Sequence, residues 1–355
     1  MKNKIVELIA ANVEGLTAAE IADLIEIPPK PELGDFAFPC FRLAKTMRKA
    51  PQMIANDIKE AIGDVDFLQE IQVQGAYLNF FVKKELFIET MVTASMADDF
   101  GSSTEGNGQT ICIDYSSPNV AKNFHVGHLR TTIIGNSLYK IYSKLGYKVV
   151  RINHLGDWGT QFGKLIVAYK AWGSEEAVKK DGVAELMKLY VKFHEEAEKN
   201  PELNDEARAW FAKMEHGDEE ALKIWQWFKD ISLIEYKRTY DLLGMDFDYY
   251  LGESFYRDKT DDVVKRLTDA NLLTESEGAK IVNLDAYDMA PCLILKNDGS
   301  SIYATRDIAA IFYRKETYNF VKCLYVTGQE QKLHFKQVFK VVELLGNEWA
   351  KDQLV

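Results

Sequence analysis

A chain of 355 residues, 47% of them hydrophobic, is long enough for two or three cores and too apolar for a disordered or fibrous protein. No apolar run reaches membrane-span length, and Met1-Lys-Asn-Lys-Ile5 leads into an amphipathic helix rather than a secretory signal, so the cytoplasm is the expected compartment. The net charge of −11 argues against nucleic-acid binding unless basic residues gather on one face.

Residues 1–105 are predicted to form a separate small α/β domain. Helices are expected around Ile5, Leu8 and Ile9 and from Ala18 to Ile25, with strands at Gly34–Phe38, Ile71–Val73 and Tyr77–Val82. A helix from Phe41 to Lys49 would carry Lys45, Arg48 and Lys49 on one face, with Arg42 one turn earlier. That cluster reads either as a solvated helix face or as a contact for a polyanion. Asn79, Phe80 and Phe81 are expected to divide between core and surface. Cys40, Cys112, Cys292 and Cys323 are scattered, without a CxxC pair, which predicts buried free thiols.

A turn-rich run from Gly101 to Gly108 precedes the densest stretch of the chain. Thr110–Ile113 reads as a buried strand that delivers Asp114 and Ser116 to a sheet edge, and Pro118 restricts Ser117 to extended backbone before a turn. From Val126 to Leu145 apolar residues recur at helical spacing, and Gly146 ends the run. His125 and His128 therefore sit at a helix N-terminus, where free N–H groups and the helix dipole favour an anion such as phosphate. Gly127 between them leaves room for a flat base against backbone. The HxxH pair could also be half of a metal site, although zinc helices space their histidines by four and add a glutamate, which is absent here.

Lys148–Asn153 completes a strand–helix–strand unit, so a parallel sheet is expected, with ligands at the strand C-termini. Asn153 and Asp157 lie at such an end, and the turn Gly156-Asp-Trp-Gly159 fits either a structural plug or a pocket wall. Residues 162–273 read as a charged helical insertion whose aromatic stripe is core, with His194 and His216 exposed and silent. Leu293–Lys296 and Ile302–Ala304 are predicted strands joined by the hairpin turn Asn297-Asp298-Gly299-Ser300. Tyr303 and Asp307, four apart, suit a guanidinium: a carboxylate matches its fork and an aromatic face its charge. Asp307 equally fits an ordinary first-turn helix acid. A further strand, Cys323–Val326, ends in Thr327-Gly328-Gln-Glu-Gln331.

His125-Val-Gly-His128 resembles the HIGH motif of class I aminoacyl-tRNA synthetases, and the run from Asp114 to Arg130 is similar to that segment in arginyl-tRNA synthetases. Arg151–Gly163, Gly252–Tyr256, Asp298-Gly299 with Tyr303–Asp307, and Gly328–Gln331 with His334-Phe335 follow in that family's order. The resemblance implies an N-terminal tRNA-contacting domain (residues 1–105) and a Rossmann-like α/β catalytic domain (106–355) with a helical insertion at about 165–275. It implies ATP-dependent activation of L-arginine and transfer to tRNA(Arg), with Mg²⁺ accompanying ATP, no structural metal, no membrane partner and a monomeric state.

By the same resemblance, His125, His128 and Lys122 are catalytic, and Gly127, His125, His128, Gly328 and Gln331 bind ATP. Asp114, Asn119, Tyr303, Asp307 and Gln331 hold arginine, and Arg42, Lys45, Arg48, Lys49 and Asn79 contact tRNA. The family's KMSKS-type loop and anticodon-binding domain are expected beyond Val355, which makes the sequence a fragment. A tRNA- and substrate-binding piece without turnover, or another HIGH-type enzyme, is therefore an open alternative.

Overall fold

The computed structural model describes every residue of the chain except Asp298, so the expected turn at 297–300 lies partly outside the described residues. The chain divides into two compact units, Met1–Phe100 and Gly101–Val355.

In the first unit, helices Lys2–Ala10 and Ala18–Leu24 precede a three-stranded antiparallel sheet of β1 (Phe36–Pro39), β2 (Leu68–Gln74) and β3 (Tyr77–Val82), ordered β1-β3-β2. Thr17 and Glu20 close a reciprocal cap at the start of the second helix, which fixes where it begins. Ile5, Ile9, Ile21, Phe38, Ile54, Ile58, Leu78 and Phe80 form a core of the unit's own.

The single basic helix expected at 41–49 is two short pieces, a 3₁₀ turn Cys40–Leu43 and a helix Ala44–Met47. Arg48 ends it in the left-handed region at φ 53°, and Lys49 pairs with Asp57 at 2.5 Å. The four cations are exposed but do not share one continuous helix face. Asn79 is a correction of another kind. It is 4% exposed, on the central strand between Ala37 and Gln72, so it is not presented to a partner.

The second unit is built on a parallel sheet. Its strands are β4 (Thr110–Tyr115), β5 (Lys148–Asn153), β6 (Tyr249–Tyr250) and, after an antiparallel sheet of β7 (Leu273–Ser276), β8 (Ala279–Val282) and β9 (Cys292–Leu295), β10 (Lys322–Val326). The order β10-β4-β5-β6 is parallel throughout, so the chain leaves β4 to one side and returns to its other side at the end. That reversal opens a crevice at the C-termini of β4 and β10, where ligands bind in open α/β sheets.

Strand alternation sends Ile111, Ile113 and Tyr115 to one core and Cys112 to another on the opposite face. The histidine helix, Val126–Lys144, packs on the first of these faces through Thr132, Gly135 and Asn136. Its periodic isoleucines, a stripe that in a helix ordinarily faces a core, are largely outside: Ile133, Ile134 and Ile141 are 43–55% exposed. Close approach to the sheet explains the reversal, because a Cβ on Gly135 would fall 2.2 Å from the Tyr115 ring.

The helical insertion runs through Thr160–Trp172, Val183–Lys199, Glu202–Glu215 and Glu219–Leu242, and its aromatics, Trp158, Trp210 and Phe228 among them, form its core. Its packed bundle stops at Leu242, where β6 rejoins the sheet edge beside β5; the helical pattern resumes at Thr260–Asp269, which packs into the core of Cys112 instead. Ile302–Ala304 is not a strand either. Ile302 caps the helix Tyr303–Tyr318, and only Ser301 bridges to Leu295. All four cysteines are buried and free. Among the described residues no helix is long and apolar enough to cross a membrane.

Candidate active site

A cavity of about 610 Å³ lies at the crevice. Asp114, Ser116, Asn119, His125, Gly127, His128, Tyr303, Asp307, Gly328 and Gln331 all line it, together with His154, Glu253 and His334. Lys122 is the exception among the crevice residues expected from sequence. It is exposed and lines a separate slit with Val120, Gln161 and Tyr190.

The floor is set by a loop bent back on itself after β4. The Ser117 N–H donates to the Tyr115 carbonyl at 3.0 Å, closing a three-residue turn with φ of 73° at Ser116 and 46° at Ser117. Ser117 was expected to be extended. Its hydroxyl donates to Asp114 Oδ1 at 2.9 Å, and this bond with the turn overrides the pre-proline preference. Ala121 is also left-handed, at φ 60°. The segment is pinned from outside: Tyr236 Oη lies 2.7 Å from both the Asn119 and Lys122 carbonyl oxygens, and the Ala121 N–H donates to Ser232 Oγ at 3.0 Å.

At one wall His125 is the N-cap of its helix, and its Nδ1 accepts from the Gly127 N–H at 3.1 Å. His128 Nδ1 accepts from the His125 N–H at 3.3 Å, and the two rings stack at 3.8 Å. With both Nδ1 atoms accepting, each neutral ring carries its proton on Nε2, as a donor. Burial, then His125 and Lys122, push the His128 pKa down to about 4, so the ring is neutral near pH 7. A Cβ on Gly127 would lie 2.9 Å from the His125 ring, which is why glycine separates the pair.

The opposite wall is acidic. Asp307 Oδ2 lies 2.6 Å from His334 Nε2, and Oδ1 lies 3.7 Å from His154 Nε2. Tyr303, one turn before Asp307, is 57% exposed with its ring 5.0 Å from that of His334. Glu253 pairs with Arg306 at 2.9 Å. Burial raises its pKa against the pull of that guanidinium. Asp114 arrives with its charge already met: its Oδ2 is 2.7 Å from Nη2 of Arg314, which is fully buried. Asp157, expected at this edge, is 0% exposed and held by Lys229 and Ser254 beneath the wall.

One end of the cavity therefore offers neutral donors at a helix N-terminus, suited to phosphate, and the other offers carboxylates suited to a cation. A family model described as "tRNA synthetases class I (R), catalytic domain" matches residues 91–354, and one described as "Arginyl tRNA synthetase N terminal domain" matches residues 3–82. The chain belongs to the arginyl-tRNA synthetase family. Curated arginine–tRNA ligases of Alkaliphilus metalliredigens and Clostridium perfringens are each 57% identical over 353 residues, covering 99% of this chain and 62% of the relative. The chain thus spans 62% of the length of those synthetases.

Among solved structures, the arginyl-tRNA synthetase of Plasmodium falciparum superposes with a TM-score of 0.67 at 24% identity, over 99% of this chain and 63% of that one. That of Thermus thermophilus gives 0.64 at 20% identity, over 100% and 65%. These two bear on the fold.

Sequence reasoning gave no role to His154, Glu253, His334 or Arg314, although the first three lie in the stretches that resemble the synthetase family. Arg314 had a readable signal. It follows Asp307 by seven residues, hence on the same helix face, and close behind the apolar run Ile308–Phe312.

Proposed function

We propose that the Gly101–Val355 unit activates L-arginine with ATP and passes the arginyl group to tRNA(Arg). The observation that carries this reading is the polarity of the single crevice: paired neutral imidazoles at a helix N-terminus on one side, Asp307 beside Tyr303 on the other. That polarity suits an aminoacyl-adenylate, whose phosphate and guanidinium need opposite partners.

The arginine carboxylate oxygen attacks the α-phosphorus of ATP in line, the α–β bridging bond breaks, and pyrophosphate leaves. The His125 and His128 Nε2–H groups donate to phosphate oxygens, which spreads the charge that builds during transfer. Because the rings are neutral and already held by Gly127 and His125 backbone, they act by position rather than by proton transfer. Gly328 and Gln331 at the end of β10 would frame the nucleoside, while Tyr303, Asp307, Asn119 and Gln331 hold the amino acid. Lys122, exposed near the helix start, is the further cation proposed to meet the phosphates.

In the second step the 2′-hydroxyl of the terminal adenosine attacks the arginyl carbonyl and AMP leaves. Among the described residues no group of three or more His, Cys, Asp or Glu is placed to hold a metal, so Mg²⁺ would enter on the triphosphate. The exposed cations Arg42, Lys45, Arg48 and Lys49 are the residues of the first unit proposed to meet tRNA.

Calorimetric titration with a non-hydrolysable arginyl-adenylate analogue tests the site, with lysyl and citrullinyl analogues as controls. Arginine-selective binding is expected. Equal binding of all three would keep a nucleotide site and remove the arginine assignment.

A further inference from the structure

Asp307 does not wait alone for its cation. Both of its oxygens face histidine nitrogens, from two different elements: His334 in the helix Lys332–Leu344 after β10, and His154 just past the end of β5. The other titratable neighbours are Tyr303 on its own helix, Glu253, whose charge is met by Arg306, and the buried Cys292 of β9. The two imidazoles differ in what they can do.

His154 is fixed in one state. Nη2 of the buried Arg314 lies 3.3 Å from His154 Nδ1, and a guanidinium can only donate. Nδ1 must therefore be the acceptor, which puts the single ring proton on Nε2, toward Asp307. Protonating His154 would break that bond and set a second cation against Arg314. His334 carries no such constraint, because its Nε2–H donates to Asp307 at 2.6 Å whether the ring is neutral or charged. Without substrate, the charged form matches the carboxylate.

We propose that His334 is a positioning and specificity-determining residue that holds Asp307 for the substrate and gives up its proton when the guanidinium arrives. The inference rests on the arginine reading above. A guanidinium brought to Asp307 Oδ1 would share one carboxylate with an imidazolium on Oδ2. Two cations on one acid repel, and the ring is the partner that can discharge. Substrate and proton thus compete for the same negative charge. A neutral isostere such as citrulline brings no charge to exchange, so the pocket distinguishes the two by charge as well as by shape.

Arginine affinity should fall as pH falls, by up to about tenfold per pH unit where each arginine bound displaces one proton. Direct calorimetry of L-arginine binding to the 355-residue chain, in two buffers of different ionisation enthalpy at pH 6.5, counts the protons exchanged. The wild-type chain is expected to release a measurable fraction of a proton. His334→Gln keeps an amide donor for Asp307 that does not titrate. It should bind arginine at pH 8 within about fivefold of the wild type and release none at pH 6.5. ATP titration of the same variant reports that it is folded. A merely structural histidine would weaken arginine equally at every pH and leave the proton count unchanged. Heats independent of buffer in the wild type, or equal release from His334→Gln, overturn the proposal. ATP binding with no arginine binding at pH 8 overturns the arginine reading as well.

Discussion

Arg314 shows how a buried charge organises a site without entering it. Its guanidinium is fully buried, binds Asp114 on β4 and sets the tautomer of His154 just past the end of β5. Burial opposes its charge, yet Asp114 and the nearby hydroxyls of Tyr325 and Tyr256 hold its pKa well above the ordinary value. Removing one partner of such a pair costs roughly 3–5 kcal/mol, because it strands the other charge in low dielectric. Arg314→Met should therefore lose about that much stability in urea unfolding, and the double variant Arg314→Met/Asp114→Leu should regain most of it. A double variant as unstable as the single one would mean that packing, not charge, is what Arg314 supplies. At this scale sequence is a partial guide. The cavity-lining types proposed to meet ligands, His125, His128, Tyr303 and Asp307, could be picked out from the sequence, whereas the pairing of Asp114 with a residue 200 positions later could not.

Secondary structure followed local pattern where one element decides its own periodicity, as in β3, β4, β5 and the histidine helix. It departed where a neighbour decides. Ser117 turns left-handed because Asp114 accepts its hydroxyl, and Ile302 becomes a helix cap. The isoleucines of the histidine helix face outward because Gly135, not an apolar side chain, makes the approach to Tyr115. Helical periodicity names a stripe, but it is the smallest residue that chooses which face goes down. Gly135→Ala tests this. Alanine gains about 1 kcal/mol in helix propensity over glycine, yet a methyl 2.2 Å from the Tyr115 ring forces overpacking that typically costs 1–3 kcal/mol. A net fall in melting temperature is expected, and a rise would show that the helix can lift off the sheet at no cost.

The whole chain reads as two units joined near residue 100, each with its own core. Residues 1–100 bury Ile5, Ile9, Phe38, Ile54, Leu78 and Phe80 against a three-stranded antiparallel sheet. A domain with its own core folds alone. Expressed by itself, the 1–100 segment should give a single cooperative thermal transition with helix and strand signals lost together; a broad, non-cooperative melt would make it dependent on the second unit. The net charge of −11 remains a genuine constraint on any polyanion, since it confines attraction to patches such as Arg42, Lys45 and Arg48 and makes it salt-sensitive.

The loop from Ser116 to Ala121 carries a last implication. Left-handed backbone costs an L-residue roughly 1–2 kcal/mol, and glycine would relieve it, but glycine also adds about 0.5–1 kcal/mol of freedom to the unfolded chain. On backbone terms alone glycine would therefore gain roughly 0.5–1 kcal/mol at such a position. What glycine would forfeit at these positions is the work of their side chains: the Ser116 hydroxyl bridging Tyr240 and Thr132, and the Ser117 hydroxyl on Asp114. A substitution in this loop is therefore felt through the hydrogen bonds its side chain loses rather than through the backbone turn it relieves.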